Sequence, residues 1–245
     1  MTMVLVLARP VSHRARVEGI LRLAVLACLP LGQPAAAQDR PVHWLHAGAM
    51  PPGAIGSLRL HRGGPLSGYF QPVRIRAPQG ARIALAGNDG FAYPRPDVVL
   101  AGLHIGPVYR LHVTEIPNNP GVEIFPTIEV IDRLYPPPGL ALRYPIPIEL
   151  TLDELELAAR GAFVTRVIYV EDPHQALPVA QPAEGEQPWL EAPAGEDPLV
   201  TADLRGRPVA ILRMGGRVPG AATAEADFAT PAPPIVMYDA EAVCP

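Results

Sequence analysis

Residues 145–171 read PIPIELTLDELELAARGAFVTRVIYVE, a run that predicts a strand, a short helix and a second strand. In its first part, apolar residues alternate with Pro145 and Pro147, which is the period-two pattern of a β-strand. Because the two prolines have the same parity, their missing N–H groups fall on one lateral edge. We therefore predict that residues 142–150 form an edge strand, or that the prolines mark a bulge.

The helix of this run is predicted by its start and its end. Thr151 and Glu154 form a capping box, in which the Thr side chain caps the helix and the Glu occupies the third helical position. Gly161 can end the helix. A second helix is predicted to begin after Asp197, with proline at its first position, and to end at Arg205 before a glycine.

Strand patterns dominate the chain on both sides of this run. The 32 Pro and 22 Gly among 245 residues exclude an all-helical bundle, because internal proline breaks helices. Many short strands joined by Pro/Gly turns are typical of a sandwich or barrel. We therefore predict a mainly β fold: a β-sandwich, Ig-like or related, with two short helices and Pro-rich loops. Besides residues 142–150, the predicted strands are 57–62, 72–77, 82–85, 98–104, 109–114, 122–130, 163–171 and 207–213.

The first residues of the chain have the organisation of an export signal. A basic segment precedes the short apolar run Leu23–Leu31, and Ala35–Ala37 offer a cleavage site before Gln38. A membrane-spanning helix needs roughly 20 apolar residues, so this run is too short to be one. We predict a signal peptide at 1–37, a mature chain without a transmembrane helix, and a location in the periplasm, cell envelope or extracellular space. The alternative is a lipoprotein anchored through Cys28.

Composition divides the mature chain into three parts. Residues 38–97 are a basic strand-and-loop region that we assign to the same domain as the β-sandwich core at 98–217, and residues 218–245 are predicted to be an Ala/Pro-rich loose tail. Residues 40–88 contain six Arg and three His but no Asp or Glu, whereas acidic residues outnumber basic ones after them. The mature chain is acidic overall and exported, which disfavours nucleic acid as a partner.

The basic region supplies the candidate binding residues. Arg74 and Arg76 alternate with apolar residues and project from one strand face, where guanidinium groups can hold carboxylate or phosphate in bidentate fashion. The expected partner is an anionic envelope polymer or another envelope protein. The alternative, which we favour, is that the arginines pair with the chain's own acidic stretch at 167–204. The candidates are Arg59, Arg62, Arg74, Arg76 and Arg82.

Catalytic and metal-binding patterns are weak. The absence of Lys excludes Schiff-base and P-loop lysine chemistry, and Ser67 does not lie in a G-x-S-x-G motif. His43, His46 and His61 are weak metal candidates, because nearby prolines argue against the helix that would place the first two on one face. We therefore predict no metal and no cofactor.

Three motifs carry a resemblance to a protein family. They are FPTIEVIDRLYPPPG at 125–139, PIPIELTLDELELAARGAFVTRVIYVEDP at 145–173 and GRPVAILRMGGR at 206–217. Over residues 50–217 the chain resembles a family of uncharacterised exported proteins of planctomycete-type bacteria. The resemblance implies an envelope or secreted location, and it implies no known activity and no catalytic residues.

Together these patterns predict an exported, non-catalytic β-sandwich protein of the cell envelope with a structural or partner-binding role. The alternative is a secreted hydrolase whose site is assembled from His and carboxylate side chains far apart in sequence. A concave cluster of such side chains in the folded protein would favour the hydrolase.

The export signal predicts a defined N-terminus. We expect protein recovered from outside the cytoplasm to begin at Gln38, because small residues at 35 and 37 suit signal peptidase. Mass spectrometry of the N-terminal peptide measures this. Recovery of an intact Met1, or of a lipid on Cys28, would contradict the prediction.

Overall fold

The computed structural model describes residues 3–8, 52–64, 66–174, 189–193, 196–215, 218–220 and 225–239. This part of the chain is mainly β, with thirteen strands in two sheets and four α-helices. The strands are β1 (Met3–Ala8), β2 (Phe70–Arg76), β3 (Arg82–Gly87), β4 (Gly90–Phe91), β5 (Arg95–Pro96), β6 (Val98–His104), β7 (Val108–Thr114), β8 (Thr127–Val130), β9 (Ile146–Glu149), β10 (Val164–Glu171), β11 (Trp189–Glu191), β12 (Gly206–Met214) and β13 (Ile235–Tyr238). The helices are α1 (Ala54–His61), α2 (Leu152–Ala159), α3 (Pro198–Arg205) and α4 (Glu225–Ala229), with a 3-10 turn at Ala141–Arg143.

The larger sheet contains nine strands. Eight follow the order β11-β1-β10-β12-β8-β7-β3-β4, and β5 pairs with β3. Its pairings are antiparallel except that of β1 with β11. The smaller sheet has the order β13-β6-β2-β9, in which only β2 and β9 are parallel. Strands from both sides of residue 97 pair with each other in each sheet.

The two sheets share one apolar core. The smaller sheet contributes Ile75 and Leu103, the larger sheet contributes Leu111 and Leu212, and α2 adds Leu155, all fully buried. Burying one such side chain stabilises the fold by about 1.5–3 kcal/mol.

A second, smaller apolar cluster lies under α3. Val167 and Tyr169 of β10 pack there with Leu199 and Ala202 of α3, whereas Ile168 belongs to the larger core. Because alternate residues of a strand point to opposite faces, α3 covers the face of the larger sheet that is turned away from the shared core.

Both predicted helices are present, and their caps are the predicted ones. In α2 the Thr151 hydroxyl accepts from the Glu154 N–H, and the Glu154 carboxylate accepts from the Thr151 N–H. In α3 the Asp197 carboxylate accepts from the Leu199 N–H at 2.9 Å, with Pro198 at the first helical position.

The strand β9 lies at the end of the smaller sheet, which confirms the predicted edge position. It is shorter than the predicted 142–150, since the 3-10 turn precedes it and the strand begins only after Pro145. The Leu150 N–H donates to the Arg76 carbonyl on β2 at 2.7 Å. Residues of the other parity, Pro147 and Glu149, therefore direct their backbone groups away from β2.

The structure corrects the prediction for residues 57–62. Their pattern predicts a strand, but they lie in α1 and the turn that follows it. α1 buries Ile55 and Gly56, and a Cβ on Gly56 would lie 2.5 Å from the Cα of Gly106. This close backbone approach is a contact between distant segments, so the local alternation of leucines does not reveal it.

The strand predicted at 122–130 is a second correction. Only its second half forms β8, while Ile124 makes a single bridge to Val113. Residues 124–130 are all buried rather than half-buried. The reason is that β8 has a sheet neighbour on each side and contacts the shared core on one face and α1 on the other.

The predicted loose tail at 218–245 is also corrected in part. The Phe228 ring of α4 packs edge-on against Phe125 with 5.1 Å between centroids, and β13 pairs with β6. Similarly, the strand β11 lies between β10 and α3, where no strand is predicted.

The strand β1 lies inside the predicted signal peptide at 1–37. It occupies a position between β10 and β11 in the larger sheet. Cleavage before Gln38 would remove this strand from the mature chain, and the cleavage itself stays a prediction. Among the described helices, none is long and apolar enough to cross a membrane.

Tyr109 ties the turn between β6 and β7 to the segment before β13. Its buried hydroxyl accepts from the His104 N–H at 2.7 Å and donates to the Pro234 carbonyl at 3.1 Å. Burial raises the pKa of Tyr109 to about 12, and the hydrogen bond from His104 opposes that rise. The neutral phenol is therefore the form that the folded protein holds.

Tyr109→Phe is expected to cost about 1–3 kcal/mol at pH 7, because two buried backbone groups lose their partner. An unfolded tyrosine has a pKa near 10, so the contribution of the neutral phenol is complete below pH 10 and is lost as pH rises towards 12. The stability difference between the natural chain and Tyr109→Phe should therefore shrink over that interval in urea unfolding. Tyr93→Phe, at an 83% exposed ring, is the control and should show neither effect. A pH-independent difference for Tyr109→Phe would contradict the assignment.

Candidate functional site

Three of the five predicted arginines pair with carboxylates of their own chain. The pairs are Arg59 with Asp132, Arg82 with Glu115 at 3.0 Å and Arg76 with Glu149 at 3.8 Å. These carboxylates lie outside the acidic stretch 167–204, so that stretch is not what neutralises Arg76 and Arg82. The register of the sheets explains the correction. Arg76 lies opposite Glu149 in the β2–β9 pair, and Arg82 lies opposite Thr114, next to Glu115.

Arg74 also acts on Glu149. Burial raises the pKa of the Glu149 carboxyl, and the charges of Arg76, Arg74 and Arg166 oppose that rise. The Nε atom of Arg74 is buried and has no hydrogen-bond partner within the described residues. Arg74 and Arg76 are therefore part of a charge cluster around an internal carboxylate. Arg62 lies exposed at the end of α1.

Two buried ion pairs were not predicted from the sequence. Arg166 contacts Glu154, and Nη1 of Arg213 lies 3.0 Å from the fully buried Glu129. The other Glu129 oxygen accepts from the Gly56 N–H at 3.1 Å. The available signal is an Arg within each of the apolar runs 164–170 and 208–214, because an isolated charge there requires a buried partner.

A group of exposed and half-buried side chains forms what we call the arginine–tyrosine surface: Tyr69, Arg133, Tyr135 and Arg207. The Arg133 guanidinium carbon lies 4.4 Å from the Tyr135 ring centroid and 5.0 Å from that of Tyr69. The Arg207 guanidinium carbon lies 5.3 Å from the Tyr135 centroid. Tyr135 is 64% exposed, so its ring is open to solvent beside two guanidinium groups.

Asp132 organises the arginines of this surface. Its Oδ2 lies 2.9 Å from Nη1 of Arg207 and also contacts Arg59, while its Oδ1 accepts from the Arg133 N–H at 2.8 Å. The same Nη1 of Arg207 donates to the Arg133 carbonyl at 2.9 Å. Asp132 thus holds two guanidinium groups in place through a buried carboxylate.

The backbone of segment 131–135 is fixed by neighbouring strands. The N–H groups of Ile131 and Asp132 both donate to the Val209 carbonyl on β12, at 2.9 and 3.2 Å. Further along, the Leu134 N–H donates to the buried side-chain oxygen of Gln71 on β2 at 2.8 Å. Because both sheets hold this segment, the side chains that flank Leu134 are presented from a rigid base.

One arginine of the surface lacks a carboxylate among the described residues. Asp132 pairs with Arg207 and contacts Arg59, which leaves the charge of Arg133. Arg133 forms no ion pair with any described carboxylate, and its contacts are to aromatic rings. A guanidinium that stacks on a ring keeps its N–H fork free for a carboxylate or phosphate. The arrangement is therefore suited to an anion carried by a partner.

The histidines are dispersed. His43 and His46 lie outside the described residues, and Nδ1 of His61 is 2.7 Å from the Ser57 carbonyl. Nε2 of His112 pairs with Glu123 at 3.1 Å, far along the sheet from α1. In the described part of the chain, no group of three or more His, Cys, Asp or Glu side chains is placed to hold a metal.

One cavity of about 680 Å³ bears on the hydrolase alternative, because Ser57, Ser67 and His104 line it. The Ser57 hydroxyl donates to the Gly53 carbonyl at 2.8 Å, and the His104 ring packs against that of Phe70 at a tilt of 37°, with 3.9 Å between centroids. Among the described lining residues there is no carboxylate to orient the histidine.

Reversing the charge of Arg76 tests the internal pairing. Arg76→Glu places two carboxylates opposite each other in the β2–β9 register, and we expect a loss of roughly 2–4 kcal/mol in urea unfolding. Arg143→Glu, at an exposed position, is the matched control and should stay within about 0.5 kcal/mol of the natural chain. Equal stability of the two variants would show that Arg76 is merely solvated.

Comparison with protein-family models, with curated proteins and with solved structures gives no match. The geometry of the chain itself, and above all the arginine–tyrosine surface, is therefore what indicates a binding role.

Proposed function

We propose that this chain is an exported, non-catalytic β-sandwich protein of the cell envelope that binds an anionic partner through the arginine–tyrosine surface. The proposal includes the Ig-like or related sandwich arrangement of the two sheets and the relation to the exported family that the sequence motifs resemble. The signal pattern at 1–37 supports export.

The observation that carries the binding role is the stack of Arg133, Tyr135 and Arg207. An exposed aromatic ring beside two cations offers apolar surface and N–H donors at the same place. Charge-assisted hydrogen bonds from arginine to carboxylate or phosphate are about twice as strong as neutral ones. A ligand with an anionic group beside a flat or apolar ring face uses both features.

The structure also separates this surface from the other arginines. Arg76 and Arg82 face internal carboxylates, and a partner that recruited them would have to break those pairs. A partner that binds Arg133 breaks no ion pair with a described carboxylate. The expected partner is an anionic envelope polymer, because repeated anionic groups on one polymer raise the local concentration of ligand at a single modest site.

The hydrolase alternative has one supporting observation, the cavity shared by Ser57, Ser67 and His104. It lacks the base-orienting carboxylate of a hydrolytic triad among the residues that the structure describes there. The binding role therefore explains more of the described geometry.

Binding to two simple polyanions tests the proposal. We expect the full chain to bind polygalacturonate or inorganic polyphosphate, with an affinity that falls as salt rises. Arg133→Ala and Tyr135→Ala should each weaken binding at least fivefold, which corresponds to about 1 kcal/mol. Fluorescence anisotropy with labelled polymer measures this.

The neighbouring pair Arg143 and Tyr144 provides the matched control, since it is also exposed but lies outside the surface. Arg143→Ala and Tyr144→Ala should leave binding unchanged. If binding fell equally in the variants of both pairs, the effect would reflect net charge and not the arginine–tyrosine surface. Failure of the natural chain to bind either polymer would overturn the proposal.

A further inference from the structure

The strand β1 fills a position that is bounded on both sides. It runs antiparallel to β10, with Met3 opposite Val170 and Ala8 opposite Thr165. On its other side it runs parallel to β11, with Leu5 opposite Trp189. Neighbouring strands lie about 4.8 Å apart, so β10 and β11 are separated by the width of one strand.

The base of this position is apolar. Val167 and Tyr169 of β10 are buried with Leu199 and Ala202 of α3, and α3 contacts β1 as well as β10. We call the space between β10 and β11, with α3 beneath it, the strand slot. The segment that occupies it, MVLVLA, has no charge and no proline.

This occupant belongs to the predicted signal peptide. If the leader is cleaved before Gln38, β1 leaves with it, and the backbone groups of β10 that faced β1 lose their partners. Among the described strands, β11 pairs only with β1. An open, apolar strand edge is a template for pairing with another chain.

The β9 edge of the smaller sheet differs from the β10 edge. In the smaller sheet, β9 carries Pro147, and the outward-facing Glu149 carbonyl accepts from Arg166. That edge is closed to a further strand by a missing donor and a side-chain cap. The β10 edge has no proline between Val164 and Glu171, so its ladder is available along its length.

We infer that the strand slot is an acceptor site, which is emptied by leader cleavage and then binds an extended apolar segment of another envelope protein, antiparallel to β10. The inference rests on the proposed export. Addition of a strand to a sheet edge gains main-chain hydrogen bonds from the ladder and specificity from alternate side chains. The partner segment is therefore about six residues long, uncharged, free of proline and rich in β-branched or aliphatic residues.

The test opens the slot in the full chain. Val6→Pro removes one N–H from β1. Because β1 is paired on both sides, this N–H has a ladder partner whichever neighbour it faces, and the substitution breaks that bond. The probe is a fluorescein-labelled peptide with the sequence of residues 2–9, TMVLVLAR. We expect it to bind Val6→Pro at least tenfold more tightly than the natural chain. Val6→Ile is the matched control and should behave as the natural chain does.

A second preparation guards against misfolding of the proline variant. The full chain is given a specific protease site in place of residues 35–40 and is cut after purification, so that the leader fragment can dissociate. Hydrogen exchange should then show faster exchange of those Thr165–Val170 amides that face β1, and renewed protection of the same amides when the peptide is added. A peptide with proline in place of Val6 should give no protection.

Two outcomes would overturn the inference. One is equal peptide affinity for Val6→Pro and the natural chain. The other is that the leader fragment dissociates but the added peptide does not slow the exchange of the β10 amides. Both are independent of the proposed anion binding, which is read out at Arg133 and Tyr135, and of export, which is read out by the N-terminus of the secreted protein.

Discussion

The two sheets and α2 depend on one buried guanidinium. Arg166 is 2% exposed and lies on β10 of the larger sheet, where burial lowers its pKa and the carboxylate of Glu154 beside it opposes that change. One nitrogen contacts Glu154, and the other donates to the Glu149 carbonyl on β9 of the smaller sheet. The Glu154 oxygen that meets Arg166 also accepts from Thr151 and so completes the helix cap. The Arg166 side chain thus links the N-terminus of α2, the edge strand β9 and the strand β10 in the interior of the larger sheet.

The position of the arginines decides which of them are free to bind. Those on β2 and β3 are placed by sheet register against carboxylates, so they stabilise the protein internally. Arg133 instead follows β8 in a segment held by both sheets and meets two tyrosines. The positive charge of Arg133 therefore lies beside the exposed ring of Tyr135, and this combination is the basis of the proposed function.

How much the sequence predicts depends on the range of the interaction. The cap of α2 involves residues three apart, and the edge position of β9 follows from two prolines, so both were predictable. The helical state of α1 depends on Gly56 meeting Gly106, and the burial of Glu129 depends on Arg213, which are contacts between distant segments. The arginine–tyrosine surface combines residues near 69, 133 and 207, so no local motif announces it. Arg74 and Arg76 have the more regular strand pattern, but they are half-buried and their charges act on Glu149, so they are not the arginines open to a partner.

Unfolding of Arg166→Met in urea tests this account most directly. Removing one partner of a buried pair should cost about 3–5 kcal/mol, because the Glu154 charge is left without its counter-ion and the Glu149 carbonyl is left without its side-chain donor. Adding Glu154→Gln removes the unpaired charge and should recover at least about 1 kcal/mol of that loss. Arg160→Met, at the exposed pair with Glu156, is the control and should change stability by no more than about 0.5 kcal/mol. The account predicts a large loss for Arg166→Met with partial rescue by the second change, and a loss no larger than that of Arg160→Met would contradict it.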